Sequence, residues 1–241
     1  MFELQEVASS VLVVGAGFMA CEVACILQGL GVSVTQVVRG PRLLRGFDAE
    51  LATSVLEGMR DSGIDVVFGQ TVTAVEGDTG SLLAQLSDGT SRSCGGVLMA
   101  TGRRPWLQDL ALEEAGISTE AGRIKVDADS CTSVPHIYAV GDATDRVNLT
   151  PVAIDEGRAF ADSAFGTRHR RVDHDLVASA GFSDPELATV GLSEEAAGER
   201  VGAEGVVVDR ARFRWMSRAL PATGTSCLLR LVLEKGKDRV L

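Results

Sequence analysis

The amino-acid sequence predicts an α/β fold built on a parallel sheet, and three observations carry that expectation. An all-apolar stretch, residues 11–14, runs straight into Gly15 and Gly17, and a segment of helical length and composition follows over residues 18–30. A second, β-branched stretch begins at Ser33, directly after Gly31. Strand, helix and strand in that order make a βαβ unit, whose strands lie parallel and whose crossover is right-handed. The third observation is a change of character after Thr101, where short strands, turns and one further helix succeed the regular alternation.

Each element has a local cause. Gly31 ends the first helix, because a glycine past the last turn takes the left-handed conformation at no steric cost. A second helix is expected over residues 48–62 with Asp48 as its N-cap, the carboxylate accepting from otherwise unpaired first-turn amides. Strands follow near residues 65–68, 72–75 and 81–86, then Asp88-Gly89 as a tight hairpin turn, and a buried strand over 96–100. Arg103-Arg104-Pro105 reads as a turn and residues 107–116 as irregular, while 124–126 and 137–140 read as strands. Residues 151–165 form a helix with Pro151 in its first turn, where the missing amide donor costs nothing. The basic stretch 168–171 reads as a linker, and short strands with turns are expected from Val177 onward.

Composition narrows the functional classes. A chain of 241 residues accommodates one large or two small domains. Its 45% hydrophobic and 23% charged residues are ordinary for a globular protein. The net charge of −10 argues against nucleic acid or an anionic membrane as the main partner, so an anion site must be a local basic cluster. No apolar run approaches the about 18 residues of a membrane span, and residues 1–10 lack the basic start and apolar stretch of a signal peptide. The five cysteines, Cys21, Cys25, Cys94, Cys131 and Cys227, match neither a disulfide framework nor a zinc site. Cytoplasmic residence with reduced thiols and no metal is the expectation. Cys21 and Cys25, four apart on a helix, read as small core residues, with a redox pair as the alternative.

Gly15-Ala16-Gly17-Phe18-Met19-Ala20 joins the first strand to the first helix. Gly15 permits the tight turn, Gly17 lets the backbone approach a pyrophosphate, and Ala20 lets helix and strand pack closely. Phosphates then sit on free amides at the positive helix end. A site for NAD places a carboxylate about 20 residues further on, for the ribose 2′-hydroxyl. Here the second strand ends in Arg39, Arg42 and Arg45 follow, and the first carboxylate is Asp48. Arginines at that position suit the additional 2′-phosphate of NADPH, which their planar forks can grip. The alternative is a solvated surface cluster.

Several separated blocks resemble the glutathione-reductase-like flavoprotein disulfide reductases: Val14-Gly-Ala-Gly-Phe-Met-Ala-Cys-Glu22, Val38-Arg-Gly-Pro-Arg-Leu-Leu-Arg45, Ala100-Thr-Gly-Arg-Arg-Pro105, Ile137-Tyr-Ala-Val-Gly-Asp142, Asn148-Leu-Thr-Pro-Val-Ala153 and Phe182-Ser-Asp-Pro-Glu-Leu-Ala-Thr-Val-Gly191. The resemblance spans nearly the whole chain. It implies an NADPH-binding domain over 1–103, the second part of an FAD-binding domain over 104–169 and the start of an α+β dimerisation domain over 170–241. It places NADPH on Gly15, Ala16, Gly17, Phe18, Met19, Ala20, Glu22, Arg39, Arg45 and Gly102. FAD falls to Asp142, Leu149, Thr150 and Pro151, with Phe18 and Glu22 also near the flavin. From the residues alone Asp142 reads equally well as a helix or turn cap. Phe18 departs in part from the family, where tyrosine is common, since phenylalanine stacks but donates no hydrogen bond. The family partner of Glu22 is a lysine, expected outside this chain.

Three family features are missing from the sequence, the first being a second G-x-G-x-x-G turn for the ADP half of FAD. No cysteine pair has C-x-x-x-x-C spacing, and none of His136, His169 and His174 has a glutamate five residues on, so all three read as ordinary surface or loop histidines. The resemblance therefore implies an internal piece of a homodimeric enzyme that passes electrons from NADPH through FAD to a redox disulfide and then to glutathione disulfide. Mercuric reductase, trypanothione reductase and a soluble NADPH oxidase are related alternatives. A non-catalytic NADPH-binding module and a fragment exposing apolar surface are alternatives of another kind.

Overall fold

A computed structural model describes residues 6–214, 216, 226–237 and 239–241. The chain forms two compact units: residues up to Gly102 together with Ala178–Leu241, and Arg103–Val177.

The first unit opens with β1 (Ser10–Val14), α1 (Phe18–Gly29), β2 (Ser33–Val38), α2 (Ala49–Asp61), β3 (Asp65–Phe68), β4 (Val72–Asp78), β5 (Ser81–Leu86), β6 (Ser91–Cys94) and β7 (Gly96–Met99). The expected parallel sheet is present, in the order β3-β2-β1-β7. Val11 pairs with Val34 on one side and with Gly96 on the other. Side chains alternate faces along β1. Val13 joins Ala20, Cys21, Ala24 and Leu27 of α1 and Val55 and Met59 of α2. Leu12 and Val14 turn the other way, onto Ala84, Leu86 and Cys94 of the antiparallel β4-β5-β6 meander. Each fully buried Val or Leu contributes about 1.5–3 kcal/mol. Cys21 and Cys25 carry free thiols, and burial pushes the Cys21 thiol up to about 12, which keeps it protonated as a core residue.

Asp48 caps α2 as the sequence suggests, Oδ1 accepting from the amides of Glu50 at 2.9 Å and Leu51 at 3.4 Å. Asp88-Gly89 turns the chain with Gly89 at φ +84°, and Asp88 Oδ1 accepts from the Thr90 amide and hydroxyl. Strand β6 was not expected. Its Ser-Arg-Ser-Cys sequence carries no apolar pattern because it is a meander edge burying only Cys94.

The second unit contains β8 (Thr119–Glu120), β9 (Arg123–Ile124), a 3₁₀ turn over Gly141–Thr144 and α3 (Thr150–Phe165), with Pro151 in its first turn. The strand expected over 124–126 is reduced to β9, and that over 137–140 to one bridge between Cys131 and Tyr138. The opposing chain is coiled instead around Asp127, whose carboxylate accepts from the amides of Asp129 and Cys131 at 2.8 and 2.9 Å, leaving no second strand to pair with. The stretch 168–171 is fastened rather than free. Arg171 grips both oxygens of Asp129 at 2.7 Å, and Arg170 pairs with Asp155.

The chain returns to the first unit with β10 (Ser179–Gly181), β11 (Leu187–Thr189), α4 (Glu194–Val201), β12 (Val206–Phe213), β13 (Cys227–Glu234) and β14 (Arg239–Val240). β12 and β13 form a long antiparallel ladder, Val206 opposite Glu234 and Phe213 opposite Cys227. Helix α4 was not expected. It is only eight residues long and holds Gly198, but Ser193 caps it by accepting from the Ala196 amide. The N-terminal ends of α2 and α4 meet around Arg230, whose side chain is 5% exposed and pairs with Asp48, Glu50 and Glu194. Arg210 adds bonds to Glu50 at 2.8 Å and Glu194 at 2.7 Å.

Candidate functional site

The glycine turn after β1 is held by two hydrogen bonds to β2. The Gly15 amide donates to the Val37 carbonyl at 3.0 Å, and the Gly15 carbonyl accepts from Gln36 Nε2 at 2.9 Å. Gly15 stands at φ +146°, and a Cβ built there would lie 2.3 Å from the Ala100 carbonyl oxygen. Only glycine therefore fits. Gly17 differs: a Cβ there would meet nothing within 4 Å. Gly17 is also the N-cap of α1, and no side chain caps that helix or adds a carboxylate to its first turn. The result is a positive helix end with free amides and open space in front of it, which is the chemistry of a phosphate site.

The loop after β2 is tied to that turn. The Leu44 amide donates to the Ala16 carbonyl at 2.7 Å, and the Leu43 and Leu44 side chains are buried in the core. With its middle anchored, the loop holds Arg39 and Arg45 at the rim of a cleft of about 370 Å³ that also takes in Gly15, Ala16, Gly17 and Gly102. The Arg45 guanidinium lies against Gly40, its carbon 3.9 Å from where a Cβ of residue 40 would sit, which is ordinary van der Waals contact. Arg42, on the same loop, pairs with Glu195 at 3.5 Å. Among the described residues neither Arg39 nor Arg45 has an ion-pair partner, so two exposed positive charges face the cleft uncompensated.

The other residues expected at the nucleotide are on α1 and do not line this cleft. Ala20 is fully buried directly behind Gly15, where its small side chain allows the close packing expected of it. Phe18 packs on the core, and Met19 is exposed. Glu22 accepts from the Phe182 amide at 2.9 Å, so its carboxylate has a partner within the chain. Gln36 and Leu44 escaped the sequence reading. Gln36 is fully buried and supplies the donor that the Gly15 carbonyl needs.

Gly15→Ala is expected to lower Tm by about 2–10 °C, because a forced backbone conformation costs about 1–3 kcal/mol. Gly17→Ala should leave Tm unchanged. Differential scanning fluorimetry of both variants checks this, and equal shifts would contradict it.

The second unit holds the other group. Asp142 is half exposed within the 3₁₀ turn, and its Oδ2 lies 3.1 Å from Arg103. Its carboxylate caps nothing among the described residues, so the reading of a helix or turn cap does not hold. Leu149 is the N-cap residue of α3, with Thr150 and Pro151 exposed in the first turn, and no side chain caps this helix either. His174 is not an ordinary surface histidine, since its Nε2 lies 2.7 Å from Oε1 of the buried Glu156. His169 does lie at the surface, 3.2 Å from Asp129.

Among the described residues no helix is long and apolar enough to cross a membrane, and no three His, Cys, Asp or Glu side chains gather as metal ligands. Residues 1–157 match the family described as pyridine nucleotide-disulphide oxidoreductase, and residues 177–241 match its dimerisation domain. A glutathione reductase of Nostoc sp. is 40% identical over 254 residues, covering 100% of this chain and 55% of the relative. One from Burkholderia cepacia is 43% identical, covering 100% of this chain and 54% of its own length. Among solved structures, the HOCl-induced flavoprotein disulfide reductase RclA from Escherichia coli superposes with a TM-score of 0.89 at 25% identity, over 99% of this chain and 55% of that one. The chain thus spans about half the length of the curated relatives it matches.

Proposed function

The chain belongs to the pyridine nucleotide-disulphide oxidoreductase family, and from that premise we propose that it forms the NADPH-binding part of a flavoprotein disulfide reductase acting on glutathione disulfide. The observation that carries this reading is the unpaired Arg39 and Arg45 at the rim of a cleft floored by Gly15 and Gly17. An extra phosphate on the adenosine ribose is the ligand group that this charge suits.

Both cofactors fit the residues present. For NADPH, the free first-turn amides of α1 and the open space at Gly17 take the pyrophosphate, Arg39 and Arg45 take the 2′-phosphate, and Gly102 at φ +123° leaves bare backbone for the nicotinamide half. Met19 belongs with the NADPH site, and Phe18 and Glu22 also lie on the flavin side of α1. For FAD, Asp142 would offer a carboxylate oxygen to a sugar or ribityl hydroxyl, and the uncapped start of α3 at Leu149, Thr150 and Pro151 would offer its positive end to the flavin. When bound, the two cofactors supply hydride transfer from nicotinamide to flavin and onward reduction of a disulfide. The chain's own task is to bind and orient. The domain limits that go with this reading are 1–103, 104–169 and 170–241, in a cytoplasmic homodimer. Cys21, Cys25, Cys94, Cys131 and Cys227 include no C-x-x-x-x-C pair, so these 241 residues bind NADPH without reducing a disulfide themselves.

The experiment is a thermal melt with each nucleotide at about one hundred times its Kd for NADPH. NADPH should raise stability by about 2.7 kcal/mol, a Tm rise of about 5–10 °C. NADH at the same concentration should do much less. Equal shifts would remove the basis for the NADPH reading.

A further inference from the structure

We propose that Glu156 is a positioning residue for the Gly141-Asp142 turn, holding it in the one orientation from which Asp142 meets a cofactor hydroxyl. The inference rests on the reading of Asp142 as an FAD ligand. Glu156 lies on α3, and its side chain is 2% exposed. A carboxylate taken out of water is costly unless its oxygens are bonded. Here they are fully used. Oε2 accepts from the Gly141 amide at 2.6 Å, and Oε1 lies 2.9 Å from Arg146 and 2.7 Å from His174 Nε2.

These contacts close a ring. The Gly141 amide is held by Glu156, and the Gly141 carbonyl accepts from the Thr144 hydroxyl at 2.8 Å. The Thr144 oxygen in turn accepts from Arg146 Nε at 3.3 Å, and Arg146 returns to Glu156 while also bonding Ser130 Oγ at 2.9 Å. Both peptide groups flanking Gly141 are therefore fixed. Gly141 itself stands at φ +67°, and a Cβ there would come within 3.1 Å of Ala153 Cβ on α3, so the turn also sits tightly on the helix. Asp142 follows directly, with its carboxylate exposed and one oxygen on Arg103. Packing alone needs no carboxylate at this place. Three donors converging on two oxygens do. Glutamine keeps the volume but offers one acceptor oxygen, and its amide then faces a donor.

The test uses the 241-residue chain in wild-type, Glu156→Gln, Thr144→Val, Asp142→Asn and Glu156→Gln/Asp142→Asn forms, with hydrogen exchange and a fluorescence titration with FAD. The Gly141 amide should exchange at least about tenfold faster in Glu156→Gln, while amides in the middle of α3 keep their rates. FAD should bind about tenfold more weakly to Glu156→Gln and to Asp142→Asn, and the double variant no more weakly than Asp142→Asn alone, because Glu156 acts through Asp142. Should Glu156→Gln not fold, Thr144→Val opens the same ring without touching the buried carboxylate and should speed Gly141 exchange in the same direction. Unchanged Gly141 exchange, or additive losses in the double variant, would overturn the proposal. FAD binding that is indifferent to Asp142→Asn would sink the FAD reading of Asp142; if these residues, only the second part of an FAD-binding domain on the proposed domain limits, do not take up FAD, the exchange rates alone decide whether Glu156 holds the turn.

Discussion

Arg230→Met is expected to destabilise the unit that contains it by about 3–5 kcal/mol, the cost of leaving a buried charge without its partner. The measurement is a urea unfolding midpoint, supported by a fall in Tm of about 6 °C or more. Methionine replaces most of the lost volume, so the effect reports on charge. Arg230 and Asp48 are 5% and 8% exposed at their side chains, whereas Glu194 is 45% exposed and Glu50 31%. Arg210 still neutralises Glu50 and Glu194 in the variant, so the loss falls on Asp48. Asp48 is also the cap of α2 and accepts from the Glu194 amide at 3.3 Å, so one carboxylate joins the starts of two helices. Burial pushes the Asp48 carboxyl up, but the Glu194 amide, the Arg230 charge and its own capped amides outweigh this and hold it below its ordinary value. Glu50 is likewise held down, first by the hydrogen bond from Arg210. Groups with lowered folded values contribute their full stability above the unfolded pKa and lose it as pH falls through the folded one. Wild-type stability should therefore drop below about pH 4, and Arg230→Met should flatten that drop. A variant that melts within 2 °C of wild type, by the scale of about 2–4 °C per kcal/mol, would show that the cluster is surface decoration.

The parts of this fold that the sequence announces are those whose causes are local. An apolar strand ending in glycine, a helix of small residues, Asp48 before a helix and Pro151 inside one each act within a turn of chain, and each forms where the pattern places it. What escaped depends on distant partners. Strand β6 is polar because it is an edge, and the start of α4 meets Arg230 through Glu194, a partner 36 residues on. The buried Gln36 is intelligible only once the Gly15 carbonyl lies beside it. Nothing in the spacing of Gly141, Thr144, Arg146 and Glu156 signals a ring, because their bonds run across a turn and a helix with no shared period. The candidate site shows the same division. Three arginines crowd one loop, and which of them is neutralised depends on Glu195, about 150 residues away along the chain, which takes Arg42 and leaves Arg39 and Arg45.

That division sets the second large effect. Arg39→Glu combined with Arg45→Ala is expected to weaken NADPH binding by about a hundredfold and NADH binding by less than about threefold. Charged hydrogen bonds to a phosphate are worth about 1.5–3 kcal/mol each, and the two arginines are exposed, so solvent screening puts the pair near the lower end, about 3 kcal/mol. NADH has no 2′-phosphate to lose, and a glutamate at position 39 can accept from its ribose 2′-hydroxyl. Arg42→Ala is the internal control. It shares the loop, the charge and the sequence neighbourhood, but its guanidinium is turned to Glu195, so NADPH affinity should change less than about twofold. Isothermal titration at low and high salt checks both halves, since a phosphate contact made by exposed charges should weaken as ionic strength rises. Similar losses for the two nucleotides would mean that the substitutions damage the glycine turn through the Leu44–Ala16 bond rather than the phosphate site. An Arg42→Ala loss as large as that of the pair would mean that general positive charge, and not the geometry of two free guanidiniums at the cleft rim, attracts the nucleotide.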